Sequence, residues 1–480
     1  DTFYAGAPVP GIASVVNSLD TLDRLDGGDG TDSILVGYDT NLNVNVLNSV
    51  APTATGIERW FLTVDDNRVV NVDLTNVSGY TELWLQSDTN ADGLLSYSGI
   101  NSADVVLGIG SVTSDAETYF TYATGALAGT DDTVTLIMNG ATDTNETGIT
   151  GGAADEGAET VIINSLGTAT NDINYTMTRL EIIGSAGLDV NINGFLADTN
   201  GNSISTIDAS ALTGDLSLSV GSGDDAGDVL TVLSGSGDDT MSFGDGAITV
   251  DGGVGNDSIS TGAGDNTVTG GDGDDSISTG AGNDTVSGGE GDDTIAASTG
   301  TNTINGGDGA DTITLAAGTD TVDAGDGDDT VIAAANIATG DSVDGGDGID
   351  TLSVTSAFAT GATAATEEAL FSNFEALTIS NALGADLDTD DLDDIQTVNL
   401  SAAHGAFAIA GLVSGATVNL TTASANTLTI TAEAGTVSGT ADVLNLSFSN
   451  AASTDFGDIA AASVETINIS SSDIDTGDAA

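Results

Sequence analysis

Hydrophobic and polar positions alternate in short runs along most of the chain. Runs of Val, Ile, Leu, Thr and Asn recur at Val44–Leu47, Val69–Leu74, Val134–Met138, Val161–Asn164, Leu216–Val220, Val418–Leu420 and Leu444–Phe448, separated by Gly, Ser and Asp. Alternation of this kind sends successive side chains to opposite faces of a strand. In the middle of the chain the pattern tightens into a strict period. The 99 residues Ser234–Ile332 divide into 11 units of nine, each with an apolar residue at its eighth position. If one turn holds two units, Ile259, Ile277, Ile295 and Ile313 stack inward as a column. No segment sustains a helical period, and the best short helix candidates are Glu367–Asn373 and Asp390–Asp394. With only 3 Pro, backbone ladders can run unbroken. The spacing predicts an all-β chain of parallel strands stacked as a solenoid.

The repeating unit is Gly-Gly-x-Gly-x-Asp-x-apolar-x. Its cleanest copies begin at Gly252, Gly270, Gly288 and Gly306. After the insertion Ala333–Ala335 two more units follow, the last at Gly345–Ser353, and an isolated copy lies at Gly27–Leu35. Glycines permit positive φ and a tight turn around an ion. An Asp carboxylate and turn carbonyls are the hard oxygens that Ca²⁺ prefers. Alternate units give two columns of sixth-position residues. The first is Asp239, Asp257, Asp275, Asp293, Asp311, Asp329 and Asp350. The second is Ile248, Asn266, Asp284, Asn302, Asp320 and Asp341, which is only half Asp. Full calcium loading is expected on the first side and weak binding near Ile248, Asn266 and Asn302. The acids at the fifth position (Asp238, Asp274, Asp292, Asp328) read as solvated surface charge.

These units closely resemble the RTX nonapeptide family. The resemblance implies a right-handed parallel β-roll with calcium-binding turns. Its ligand position falls on Asp32 of the isolated copy and on every Asp of the two columns. It also implies export through a one-step type I channel.

Charge adds a constraint. The 480 residues carry 74 Asp plus Glu against 4 Lys plus Arg, a formal charge of −70. That excludes the basic footprint of a nucleic-acid binder. There is no Cys and one His, so disulfides, thiol catalysis and Cys/His zinc sites are excluded. No HExxH or GxSxG motif occurs, and no catalytic constellation is expected. No run approaches the ~18 apolar residues of a membrane span. The hydrophobic fraction of 39% is enough for a core, but with 2 Trp, 7 Tyr and 11 Phe that core must be thin and layered. Self-repulsion on this scale demands cations. The opening Asp1-Thr2-Phe3-Tyr4 has no signal-peptide pattern and reads as part of a longer chain.

The flanks repeat an apolar-Glu-x-apolar piece at Glu58, Glu181, Glu375 and Glu465. Each Glu is either a calcium ligand or a strand-edge carboxylate bonded to a neighbouring turn. Asp88, Asn90 and Asp92 copy the first half of an EF-hand loop; with Gly99 where the twelfth-position Glu belongs, they are expected to form a calcium-binding loop rather than an EF-hand. Asp386, Asp388, Asp390, Asp391, Asp393 and Asp394 form an acidic cluster, a solvated loop or a lattice contact. His404 reads as a turn residue. Trp60 and Trp84 read as a local core or a contact patch. Arg24, Arg59, Arg68 and Arg179, the only cations, are expected to pair with carboxylates.

A nonapeptide followed by an apolar-Glu-x-apolar strand and Thr/Asn/Ala-rich strands is similar to the C-terminal part of RTX-type bacterial S-layer proteins. The expected organisation is a strand-rich solenoid over 1–220, the calcium roll over 221–353 and a second strand-rich solenoid over 354–480. The resemblance implies a secreted, extracellular, non-enzymatic protein that folds on calcium and assembles with its own copies into a cell-surface layer. Attachment to a surface polysaccharide would use a region outside this chain. The alternatives are a calcium-rigidified adhesin or biofilm-matrix stalk, and the RTX part of a secreted enzyme.

Overall fold

The computed structural model describes residues 229–334 and 340–355 continuously. Elsewhere it describes the strands and adjoining turns, chiefly 53–64, 69–87, 94–110, 117–128, 132–139, 158–166, 204–221, 370–381, 395–402 and 407–421. Among the described residues there are 44 strands and no helix. The strand pairings are parallel throughout, as in a β-solenoid. The chain divides into two compact units, Asp1–Gly262 and Ala263–Ala480.

In Asp1–Gly262 two ladders alternate along the chain. One climbs through Ser33–Tyr38, Arg59–Val64, Glu82–Ser87, Val106–Gly110 and Thr133–Asn139. The other climbs through Val69–Asp73, Leu94–Ile100 and Glu117–Tyr122. Register stacks Ile34, Trp60, Leu83, Leu107, Leu136, Ile163 and Ile182 in one inward column. Each of them is fully buried. Burying such a side chain contributes about 1.5–3 kcal/mol. A third short ladder joins Arg24–Asp26, Thr53–Thr55 and Val77–Ser78, where the turns are long enough to hold an extra strand.

In Ala263–Ala480 the nonapeptide turns are two-sided. Val268, Val286, Ile304, Val322 and Val343 stack on one ladder. Ile277, Ile295, Ile313, Val331 and Leu352 stack on the other, which carries on through Leu377, Val398, Val418 and Leu446. Past the roll a third ladder appears, built from Leu387–Asp388, Phe407–Leu412, Leu428–Ala432 and Ile459–Ala462. Glycine is required where turns stack on turns. Gly289 and Gly291 have φ of 133° and 124°, and a Cβ on them would strike the carbonyls of Gly271 and Gly273.

Two expectations need correction. The helix candidate Glu367–Asn373 contains the strand Phe371–Ser372, and Asn373 takes a left-handed φ of 57°. Ile248 is not a turn residue. It lies inside the strand Ala247–Val254, opposite Leu230, and is buried in the core. The second helix candidate and the run Val44–Leu47 lie outside the described residues.

Candidate metal centre

Each nonapeptide turn ends by burying its sixth-position side chain. Asp239, Asp257, Asp275, Asp284, Asp293, Asp311, Asp320, Asp329, Asp341 and Asp350 are all at most 3% exposed. They are held by a ladder that runs through both backbone and side chain. In Ala263–Ala480 the N–H of Asp275 donates to Oδ1 of Asp293, Asp293 to Asp311, and Asp311 to Asp329, each at 2.8 Å. Asp329 then donates to Asp350 at 2.8 Å, across the insertion. In Asp1–Gly262 the N–H of Asp239 donates to Asp257 at 2.8 Å. One carboxylate oxygen per residue is thus consumed in joining turns.

The other oxygen is left over. Oδ2 of Asp284, Asp293, Asp311, Asp329 and Asp350 is buried with no hydrogen-bond donor. A buried oxygen of that kind demands a proton or a cation. The first glycine of the unit is where two of these oxygens come together. A Cβ on Gly270, Gly288 or Gly306 would strike Oδ2 of Asp275, Asp293 or Asp311 in its own turn. It would also strike the carbonyl of Gly288, Gly306 or Ala324 in the next turn. Carboxylate and carbonyl oxygens therefore crowd against one glycine, in an arrangement that any side chain there would displace. Hard oxygens in a glycine cradle suit Ca²⁺. Among the described residues no three acidic or His side chains cluster as a metal site, so the remaining donors would be backbone carbonyls.

Electrostatics point the same way. Burial pushes the Asp311 carboxyl up to about 7, and Asp293 and Asp350 up to about 6. The N–H bond to each pulls back, and neighbouring carboxylates push further. Burial also raises Asp239, Asp320 and Asp329. A column of acids that resists ionisation is what a divalent cation relieves.

The second column is built differently. Asn266 donates its N–H to Asp284 at 2.9 Å, Asp284 to Asn302 at 3.1 Å, Asn302 to Asp320 at 3.0 Å, and Asp320 to Asp341 at 2.9 Å. The amide nitrogens of Asn266 and Asn302 donate to the carbonyls of Gly264 and Ser298 in their own turns, at 2.9 and 3.0 Å. Those turns close on an amide donor.

The repeated Glu residues cap such ladders. Asp350 donates its N–H to Glu375 Oε2 at 2.8 Å, and Asp32, itself buried, donates to Glu58 Oε2 at 2.7 Å. Of the two roles open to them, Glu58 and Glu375 take the one bonded to a neighbouring turn. A third cap, Asp132 N–H to Glu159 Oε2 at 2.7 Å, has no Gly unit to announce it. Glu181 instead lies 3.8 Å from Arg179.

The fifth-position acids do more than face solvent. Asp292 and Ala310 donate their N–H groups to Oδ1 of Asp274 and Asp292, at 2.9 and 2.8 Å. Ile349 donates to Asp328 at 2.9 Å, and Asn256 to Asp238 at 2.9 Å. This second ladder points the opposite way along the chain to the sixth-position one.

Among the cations, Arg59 pairs with Glu82 at 3.0 Å and Arg179 with Asp208 at 2.7 Å. Trp60 is buried, whereas Trp84 lies on the outer face, stacked on Phe61 with ring centroids 6.2 Å apart. Asp88, Asn90, Asp92, Arg68, His404, Glu465 and the acidic cluster apart from the strand Leu387–Asp388 lie outside the described residues, and the Arg24 side chain is not described.

Comparison with known families agrees with this geometry. Overlapping matches to the RTX calcium-binding nonapeptide repeat cover residues 251–286, 260–295, 269–303, 287–322 and 297–331. No curated protein matches the chain. Proteins with such repeats bind calcium and are typically secreted. No helix among the described residues is long and apolar enough to cross a membrane.

Proposed function

We propose that this is a secreted structural protein whose roll folds when calcium arrives, and which then assembles with copies of itself into a bacterial surface layer. The observation that carries the calcium step is the donorless buried oxygen on Asp293 and Asp311, each facing a carbonyl of the next turn across a first-position glycine. Where calcium is scarce, as inside a cell, these carboxylates repel, and Gly-rich turns lack the apolar surface to offset their ordering entropy. Outside, millimolar calcium exceeds the ~10⁻⁴–10⁻³ M dissociation constants of extracellular modules. Each occupied site then adds stability by mass action, and stacking makes the response cooperative.

Self-assembly has separate support. The outer face of the first ladder carries a row of Phe61, Trp84 and Ile137 in register around Gly108. Apolar side chains on outer faces are what contacts between copies use. The described buried sixth-position acids take part in the ladders. Negative-stain electron microscopy of chelator-stripped protein, before and after millimolar calcium, tests the proposal. Regular sheets only with calcium are expected. Folded, isolated particles at every calcium concentration would refute layer formation and favour a spacer.

A further inference from the structure

We propose that the residue at the first position of each nonapeptide decides whether its turn accepts calcium, and that Ala324 and Leu315 keep two aspartate-bearing turns free of it. The inference rests on the calcium reading above and adds a rule for which turns load.

The open turns define the rule. At Gly270, Gly288 and Gly306 the side-chain position is lined by the turn's own Asp Oδ2 and a carbonyl of the next turn. Register stacks Gly289 on Gly307 and Gly307 on Gly325, so the preceding residues Gly288, Gly306 and Ala324 share one column. Ala324 is completely buried and carries the methyl group that its neighbours lack. A carbon packs at ~3.5–4.0 Å from its neighbours. A calcium ion needs oxygens at 2.3–2.6 Å. The two cannot share one cradle. Asp329, whose turn this is, still buries an Oδ2 with no donor, so the aspartate alone does not mark a calcium turn.

In the other column a larger side chain takes the same position, the last inward residue of the strand Thr312–Leu315. Leu315 is the first-position residue of the turn ending at Asp320, and it is only 4% exposed. At the start of the repeat array the closure is polar instead. Ser234 takes the first position, and its hydroxyl donates to Asp239 Oδ2, the oxygen that elsewhere faces the cradle. By the same rule Thr279 shuts the turn ending at Asp284, so these four turns keep their Asp without its ion.

The test counts calcium ions per full-length chain, by native mass spectrometry and by equilibrium dialysis against radioactive calcium, at saturating CaCl₂. Ala324→Gly is expected to gain one ion. Asp329→Asn is expected to leave the count unchanged, while Asp293→Asn loses one. If Asp293→Asn fails to fold, the other two variants still decide, because neither removes a cradle predicted to be loaded. An unchanged count in Ala324→Gly, or the loss of an ion in Asp329→Asn, would overturn the rule while leaving the calcium reading intact. A wild-type chain that binds no calcium would overturn both.

Discussion

At the scale of single residues, a sixth-position Asp behind a first-position glycine, such as Asp293 or Asp311, has two separable tasks. Its Oδ1 closes the ladder and its Oδ2 faces the cradle. Glu375 performs the first, accepting the Asp350 N–H at 2.8 Å. Glu375→Ala should leave that buried N–H without an acceptor and cost about 1–3 kcal/mol. Glu375→Gln keeps an oxygen acceptor and should recover most of the loss. Denaturant unfolding at saturating calcium measures both. A loss in calcium count with Glu375→Gln would make Glu375 a ligand rather than a cap. Gly289→Ala is expected to be worse than either, since its Cβ would strike the Gly271 carbonyl and its φ is 133°. Its midpoint for calcium-induced folding should rise, or folding should fail.

At the scale of the strand and turn, apolar stacking and carboxylate columns oppose each other. Ile295 is fully buried between Ile277 and Ile313. Ile295→Ala should cost about 2–5 kcal/mol in calcium, read by denaturant unfolding. The carboxylates act in the other direction with pH. In the cation-free fold Asp311 is pushed up to about 7, and Asp293 and Asp350 up to about 6. The unfolded chain has ordinary carboxylates near ~3.9. The fold therefore holds more protons than the unfolded chain between those values. Cation-free stability should be greatest below about pH 4 and fall as pH rises toward 7. Calcium reverses the trend, because the ion must displace those protons. The calcium concentration at the folding midpoint should drop as pH rises from 5.5 to 7.5, and circular dichroism titrations at several pH values would measure it. A midpoint independent of pH would mean that these carboxylates do not meet the ion.

At the scale of the whole chain, the period carries most of what the sequence reveals. Ile277, Ile295 and Ile313 sit 18 residues apart in sequence and one turn apart in space, so a strict repeat translates directly into register. The sixth-position Asp column was legible for the same reason. What escaped was chemistry that the repeat does not display. Ile248 matches the ligand position by count, yet a β-branched residue between Ala247 and Thr249 extends the strand into the core. The fifth-position acids look like surface charge because their bonds reach the adjacent turn, which no local motif records. The cap Asp132–Glu159 spans 27 residues without a Gly-rich unit. The first-position substitutions Ser234, Leu315 and Ala324 were visible as letters. Their meaning needed the cradle beside Asp293 and Asp311.

The central claim is that the roll's fold is conditional on calcium. Backbone hydrogen exchange over residues 263–355, in excess chelator and then in millimolar calcium, tests it most directly. Fast exchange of the Thr285–Glu290, Thr294–Ala297 and Thr303–Asp308 strands is expected in chelator, and cooperative protection of all three once calcium is added. Full protection of those strands in chelator at neutral pH would contradict it.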